Sequence, residues 1–447
     1  MNIWDRLFGS SVPAVAAAAG PSTRFGRYSD AHKGPANYQA WEEAIQAFEQ
    51  QDFLASFEAF FRYLRDEAED NVRFQRQGDE LWFEFYQGSK RITGQADARR
   101  LRASAPVARL GKVPPELMQR LTAQNYELKY CRFALDNERC LLALFDTSAI
   151  DASAHKLYHA LKELALQADK QDDLLQAESP AVLPLANSHL QQLSAAERQC
   201  KQDFLVREID AAFAYLSSNQ CKPEEHPGAV AYLLLDLVYR LDYLLKPEGP
   251  TMEALERMHR RYFAREEEPQ AVTFKNVRLI GELQELAAHA PARFDRELYV
   301  GKSTFGLTLP VSHDRVAALI RNELPNLEWY QENGFETIAL AVPGYVIGYC
   351  LFNYAVPLPI RDFFHLYYRI RHEEYFLELG FEQQFLDPQG RPLRRPLRAA
   401  IEEIVLTHQA QYPRLRPALA TLVYDRLSNF SQAYLSMIAD LDLGKAY

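Results

Sequence analysis

Two histidine-bearing stretches hold the residue types best suited to chemistry. His155, His159 and Glu163 recur at i, i+4 and i+8, a spacing that lines one side of a helix. Two imidazoles on such a face can share a metal ion, with a carboxylate one turn further on. His365, Arg369, His372 and Glu373 form a second polar cluster, in which Arg369 and Glu373 are spaced for an ion pair. A metal-dependent hydrolase would use one of these sets. Neither contains HExxH, and a catalytic zinc needs a third protein ligand and an open position. His155 and His159 also fall off the apolar stripe Leu157, Leu161, Leu164 and Ala168, where solvated polar residues belong. Surface ion pairs account for the second set. No Walker A loop, GxSxG elbow or GxGxxG turn occurs. The reading is therefore no catalytic residue, no metal and no cofactor.

Other residues suit binding. Arg391, Arg394, Arg395 and Arg398 surround two prolines and make a basic patch fit for phosphate, nucleic acid or an acidic partner segment, with a basic loop meeting the protein's own acidic surface as the plainer reading. Trp82, Phe83, Phe85 and Tyr86 form a dense aromatic run, open to two readings: a partner surface or core packing. Residues 1–9, MNIWDRLFG, place Trp4 and Phe8 with Ile3 and Leu7 on one side of a short helix, a candidate docking peg.

The whole chain narrows the function class. Its 447 residues carry a net charge of −10, which argues against a general nucleic-acid binder. Nearly half the residues are apolar, enough for a sizeable core. Five cysteines at 131, 140, 200, 221 and 350 give an odd count with no CxxC, so neither a disulfide framework nor a zinc framework is expected. A reducing, cytoplasmic setting follows. No apolar run reaches the length of a membrane span, and the opening residues lack a basic region typical of a secretory signal.

These residues must be positioned by an α+β chain of four parts. Residues 1–37 read as the peg and an Ala/Gly/Pro/Ser-rich linker. Residues 38–175 form an antiparallel-sheet domain. Helices spaced by Trp41, Ile45, Phe57 and Leu64 precede strands from Val72, with hairpin turns at Gly78-Asp79 and Gln87-Gly88. A strand over 99–110 is demoted in part to an edge by Pro106. A helix opens at Pro114-Pro115, a strand runs through Tyr126, Leu128 and Tyr130, and a hairpin turns at Asp136-Asn137. Asp151 or Ser153 caps the next helix. Residues 176–295 are helical. Residues 296–447 form a second α/β region closed by helices. There Ser312 caps a helix, and Phe335–Val342 with Tyr345–Ala355 reads as an apolar hairpin across Pro343-Gly344. The two hairpins lie about 207–209 residues apart in register, the mark of an internal duplication.

The run Asn125-Tyr126-Glu127-Leu128-Lys129-Tyr130, then Phe133-Ala134-Leu135-Asp136, then Ala160-Leu161-Lys162-Glu163-Leu164-Ala165-Leu166-Gln167-Ala168-Asp169, resembles YbjN-type proteins. Those share the small α/β fold of type III secretion chaperones. The resemblance covers roughly residues 60–175 and implies an antiparallel sheet packed by helices, dimerisation, and protein binding without catalysis. Secretion chaperones are short and single-domain, and this chain adds a long helical and C-terminal part. The expectation is a non-catalytic adaptor or chaperone-like component with protein partners, as homodimer or hetero-assembly. It docks a partner helix or strand on a sheet face or edge. Alternatives are the hydrolase above and a structural subunit of a multi-protein particle.

Overall fold

The computed structural model describes residues 21, 23–111, 113–178, 182–183, 185, 189–218, 220–265 and 270–444. The peg residues Trp4 and Phe8 lie outside them. The class is α+β, and the chain divides into two compact units. One takes Tyr28–Gln192 together with Tyr299–Leu307 from much later in the chain. The other takes Leu193–Leu298, Thr308 onward and the described residues up to Arg27.

The first unit begins with two helices, α1 (Pro35–Glu49) and α2 (Phe53–Leu64). Pro35 stands in the first turn of α1, where its missing N–H costs nothing. Gln51 turns the chain with φ 62°, and the Asp52 carboxylate caps α2 by accepting from the Ala55 amide at 3.1 Å. Four strands follow as a meander: β1 (Val72–Gln77), β2 (Glu80–Gln87), β3 (Lys90–Ala96) and β4 (Arg100–Leu110). Then come α3 (Pro115–Glu127), β5 (Arg132–Leu135), β6 (Cys140–Ser148), α4 (Ala154–Glu178) and the short β7 (Val182–Leu183). The sheet order is β1-β2-β3-β4-β6-β5, antiparallel throughout, with β7 on β4.

Period-two alternation sends Phe83, Phe85, Ile92, Leu101, Ala103, Ala143 and Phe145 to one face, all buried. Helices α2 and α4 cover that face. The Phe61 ring stacks on Phe83 at 4.3 Å, and Leu157, Leu161, Leu164 and Ala168 are wholly buried. The helix stripe expected from sequence is thus the core stripe, each full side chain contributing about 1.5–3 kcal/mol.

Two details of this unit differ from expectation. Pro106 sits in a central strand, not an edge. It falls at a β-bulge, where the β4–β6 register shifts between Pro106 and Ala108, so its missing N–H breaks no regular ladder. Tyr126 is not on a strand: α3 runs to Glu127, leaving Tyr126 89% exposed. The amides of Lys129, Tyr130 and Cys131 donate to the Glu163 carboxylate at 2.9, 2.7 and 2.9 Å, so this stretch is satisfied without a strand partner.

The second unit is helical. It holds α5 (Ala195–Ser217), α6 (Pro227–Leu245), α7 (Gly249–Tyr262), α8 (Val272–His289), α9 (His313–Glu332), α10 (Glu336–Asn353), α11 (Leu358–Arg371), α12 (Arg394–His408) and α13 (Leu427–Ala439). Ser312 caps α9 through the Arg315 amide at 3.4 Å, as its position suggested. Where a hairpin was expected, α10 forms one helix through Pro343-Gly344. The run is apolar on every side, and such a run has no period to separate strand from helix. Gly344 and Gly348, one turn apart, mark close packing here instead of a turn. A methyl on Gly344 would lie 2.0 Å from Asp236 Oδ1, and one on Gly348 2.4 Å from Tyr239 Cβ, both on α6. Arg371 donates to the Leu340 carbonyl near the proline. Without the second hairpin, the offset that suggested a duplication has no structural counterpart. The expected boundary at 295/296 also falls inside this unit, because Leu193–Leu298 and Thr308–Tyr447 pack together.

Candidate functional site

The helices that pack on the sheet leave its other face to residues of the opposite parity. Two rows cross it. Gln75, Trp82, Gln95, Arg102 and Asp146 stand directly opposite one another on successive strands. Beside them run Arg73, Glu84, Thr93, Ser104, Leu144 and Arg132. Six strands spaced at about 4.8 Å make this face about 24 Å wide. Within it lies an open pocket of about 440 Å³, lined by Trp82, Gln95, Arg100, Arg102, Leu144 and Asp146 among others. That volume suits two or three side chains of a partner, at the lower end of the usual few-hundred-Å³ range for ligand sites.

Charge is uneven here. Asp146 accepts from Arg132 Nη2 at 2.6 Å and from Arg100. The Arg132 and Arg100 hydrogen bonds hold its carboxyl below the usual range. Arg102 is exposed, directly opposite Asp146 on the neighbouring strand, yet forms no ion pair among the described residues. Two guanidinium groups thus share one carboxylate, with a third exposed beside it, around a half-buried tryptophan. Further along the same face Glu84 pairs with Arg91 and accepts from the Tyr86 hydroxyl at 2.9 Å. Burial, then the Glu84 charge, pushes that phenol up to about 12.

Of the aromatic run, only Trp82 reaches the open face. Phe83 and Phe85 point to the covered face and are core, and Tyr86 is 2% exposed beneath Lys302 and His189. An aromatic surface of four residues is therefore reduced to one. Of the arginines missed by sequence reading, Arg100, Arg102 and Arg132, the first two had a signal. In Arg100-Leu101-Arg102-Ala103-Ser104 the polar residues alternate with the small apolar ones, which marks a solvated face.

The histidine sets are not brought to this face. His155 packs edge-on against Trp41 at 4.9 Å, and His155 and His159 are exposed. Glu163 is occupied by three amides, as above. In the helical unit, burial pushes the His365 imidazole down to about 4, and it meets the Tyr243 hydroxyl at 3.1 Å. Glu373 accepts from the Phe385 and Leu386 amides instead of pairing with Arg369, which bonds Gln383 at 3.1 Å. Among the described residues no group of three or more His, Cys, Asp or Glu is placed to hold a metal.

The second arginine patch opens α12. Arg391 bonds Asp387 at 2.8 Å, Arg394 lies over the Tyr424 ring, and Arg395 is exposed. Positive charge at a helix N-terminus opposes the helix dipole. No helix of the described residues is long and apolar enough to cross a membrane. No family model matches the chain, and no curated protein matches it.

Proposed function

We propose that this protein is a non-catalytic interaction module whose open sheet face docks an amphipathic helix of a protein partner. The observation that supports this most is the basic pocket around Trp82 on a sheet whose helices, among the described residues, pack on the other face. Trp and Arg are the residue types that most often anchor interfaces. A partner helix about 10–12 Å across fits within the 24 Å face, and an acidic residue on it would meet Arg102. The face is favoured over the edges. The edge strand β1 carries Arg73 and Arg76, and β5 has four residues; short or charged edges discourage strand addition. The resemblance to YbjN-type and secretion-chaperone folds points the same way. The unpaired thiols agree with a cytoplasmic setting.

The test is affinity purification of the wild type and of Trp82→Ala/Arg102→Glu from native cells, with partners identified by mass spectrometry. A stoichiometric partner held by the wild type and lost from a folded double variant is the expected result. A partner held equally by both would place binding elsewhere, and no partner at all would sink the adaptor reading.

A further inference from the structure

Residues 21–34 were expected to be linker, yet part of this stretch is held in the helical unit by three consecutive residues. The Phe25 ring packs against His365 at 5.2 Å and Phe376 at 5.0 Å. The Gly26 amide donates to the Tyr243 carbonyl at 2.8 Å. Its φ is +66°, and a Cβ there would lie 2.5 Å from the Tyr243 ring, so only glycine fits. The Arg27 guanidinium grips Asp242 with two bonds, of 3.0 and 2.6 Å, and reaches Glu256 at 2.7 Å. It also lies 4.3 Å over the Phe352 ring. Arg27 retains 13% of its side-chain exposure and Asp242 5%.

We infer that this is a peptide-binding site for an aromatic–Gly–Arg sequence, filled in cis by Phe25-Gly26-Arg27 and exchangeable with the same sequence supplied in trans. Each element of the site reads one residue. The slot beside His365 takes an aromatic ring, the Tyr243 ring excludes any Cβ, and two carboxylates select a guanidinium. Without Arg27 those carboxylates would face each other uncompensated, so the empty site attracts a cation. The segment behaves as ligand more than as scaffold. Residues 23–34 form neither helix nor strand, and the backbone of Gly26 meets the helices through its amide on the Tyr243 carbonyl. This inference is independent of the sheet face.

The experiment uses full-length protein and a fluorescein-labelled peptide of residues 21–31, followed by anisotropy. A Phe25→Ser/Arg27→Glu chain, its own segment weakened, binds the peptide saturably. The wild type binds it about tenfold more weakly or worse, because its site is already filled. Peptides carrying Arg27→Glu or Gly26→Ala do not bind. A folded double variant that ignores the peptide, or a wild type that binds it equally well, overturns the inference. Hydrogen exchange of the wild type is a second reading that needs no variant. The Gly26 amide exchanges about a hundredfold faster than the α6 amides if the segment opens locally. Exchange of both at one rate, only on global unfolding, would mean the segment is core.

Discussion

Gly94 lies on β3 between Phe83 and Ala103, on the covered face. A methyl there would meet the Phe83 ring at 2.0 Å and the Arg102 carbonyl at 2.5 Å. Gly94→Ala should therefore destabilise the sheet unit by about 1–3 kcal/mol through overpacking, read as a lower urea midpoint. Glu163 has a different dependence. Burial would raise its carboxyl, but the amides of Lys129, Cys131 and Tyr130 outweigh it and hold the group below its ordinary 4.5. A depressed carboxyl gives stability that is complete above the ordinary value and lost as pH falls through the folded one. Glu163→Gln should thus cost on the order of 1 kcal/mol at pH 7, from weaker hydrogen bonds. The difference from wild type should shrink as the pH falls below 4.5. Equal gaps at neutral and acid pH in paired denaturant titrations would refute that role. The spacing of His155, His159 and Glu163 was legible. That Glu163 satisfies a loop could not be read, because its partners lie more than thirty residues away.

The β2–β3 hairpin is fastened to α4 by a buried polar cluster. Gly88 takes φ 52° with no room for a side chain beside Asp169, and the Ser89 amide donates to Asp169 at 2.8 Å. Lys90 pairs with Asp172 at 2.6 Å, the two side chains 1% and 2% exposed. Lys90→Met should cost about 3–5 kcal/mol, since it removes the cation beside a buried carboxylate. Lys90→Met/Asp172→Leu should recover most of that loss, as buried pairs often give way to apolar ones without penalty. A double variant as unstable as the single would show that the pair itself, not the buried negative charge, sets the cost. The turn residues were visible in sequence. The docking of hairpin on helix was not, since lysine and aspartate in such a run read as surface.

Across the whole chain, the segment before α1 is tied at successive points. Arg27 joins the helical unit, while Asp30 in the sheet unit accepts from Tyr158 at 2.8 Å and from the Gly306 amide at 2.9 Å. Removing residues 1–31 should therefore lower the melting temperature by several degrees beyond removal of residues 1–20, which takes none of these anchors. Equal melting temperatures for the two truncations would show that the anchors add nothing. Sequence alone determined the α+β class, the meander from Val72, the α4 stripe and the Ser312 cap. Each is written in a local period or a cap, which needs no knowledge of distant neighbours. Tertiary structure decided the rest. Alternation shows which residues share a sheet face but not which face helices will cover, so Phe83 and Phe85 went to the core while Trp82 stayed at the surface. Pro343-Gly344 looked like a turn until α6 supplied a surface against which two glycines could pack. Arg27 looked like linker until two carboxylates far along the chain came to meet it.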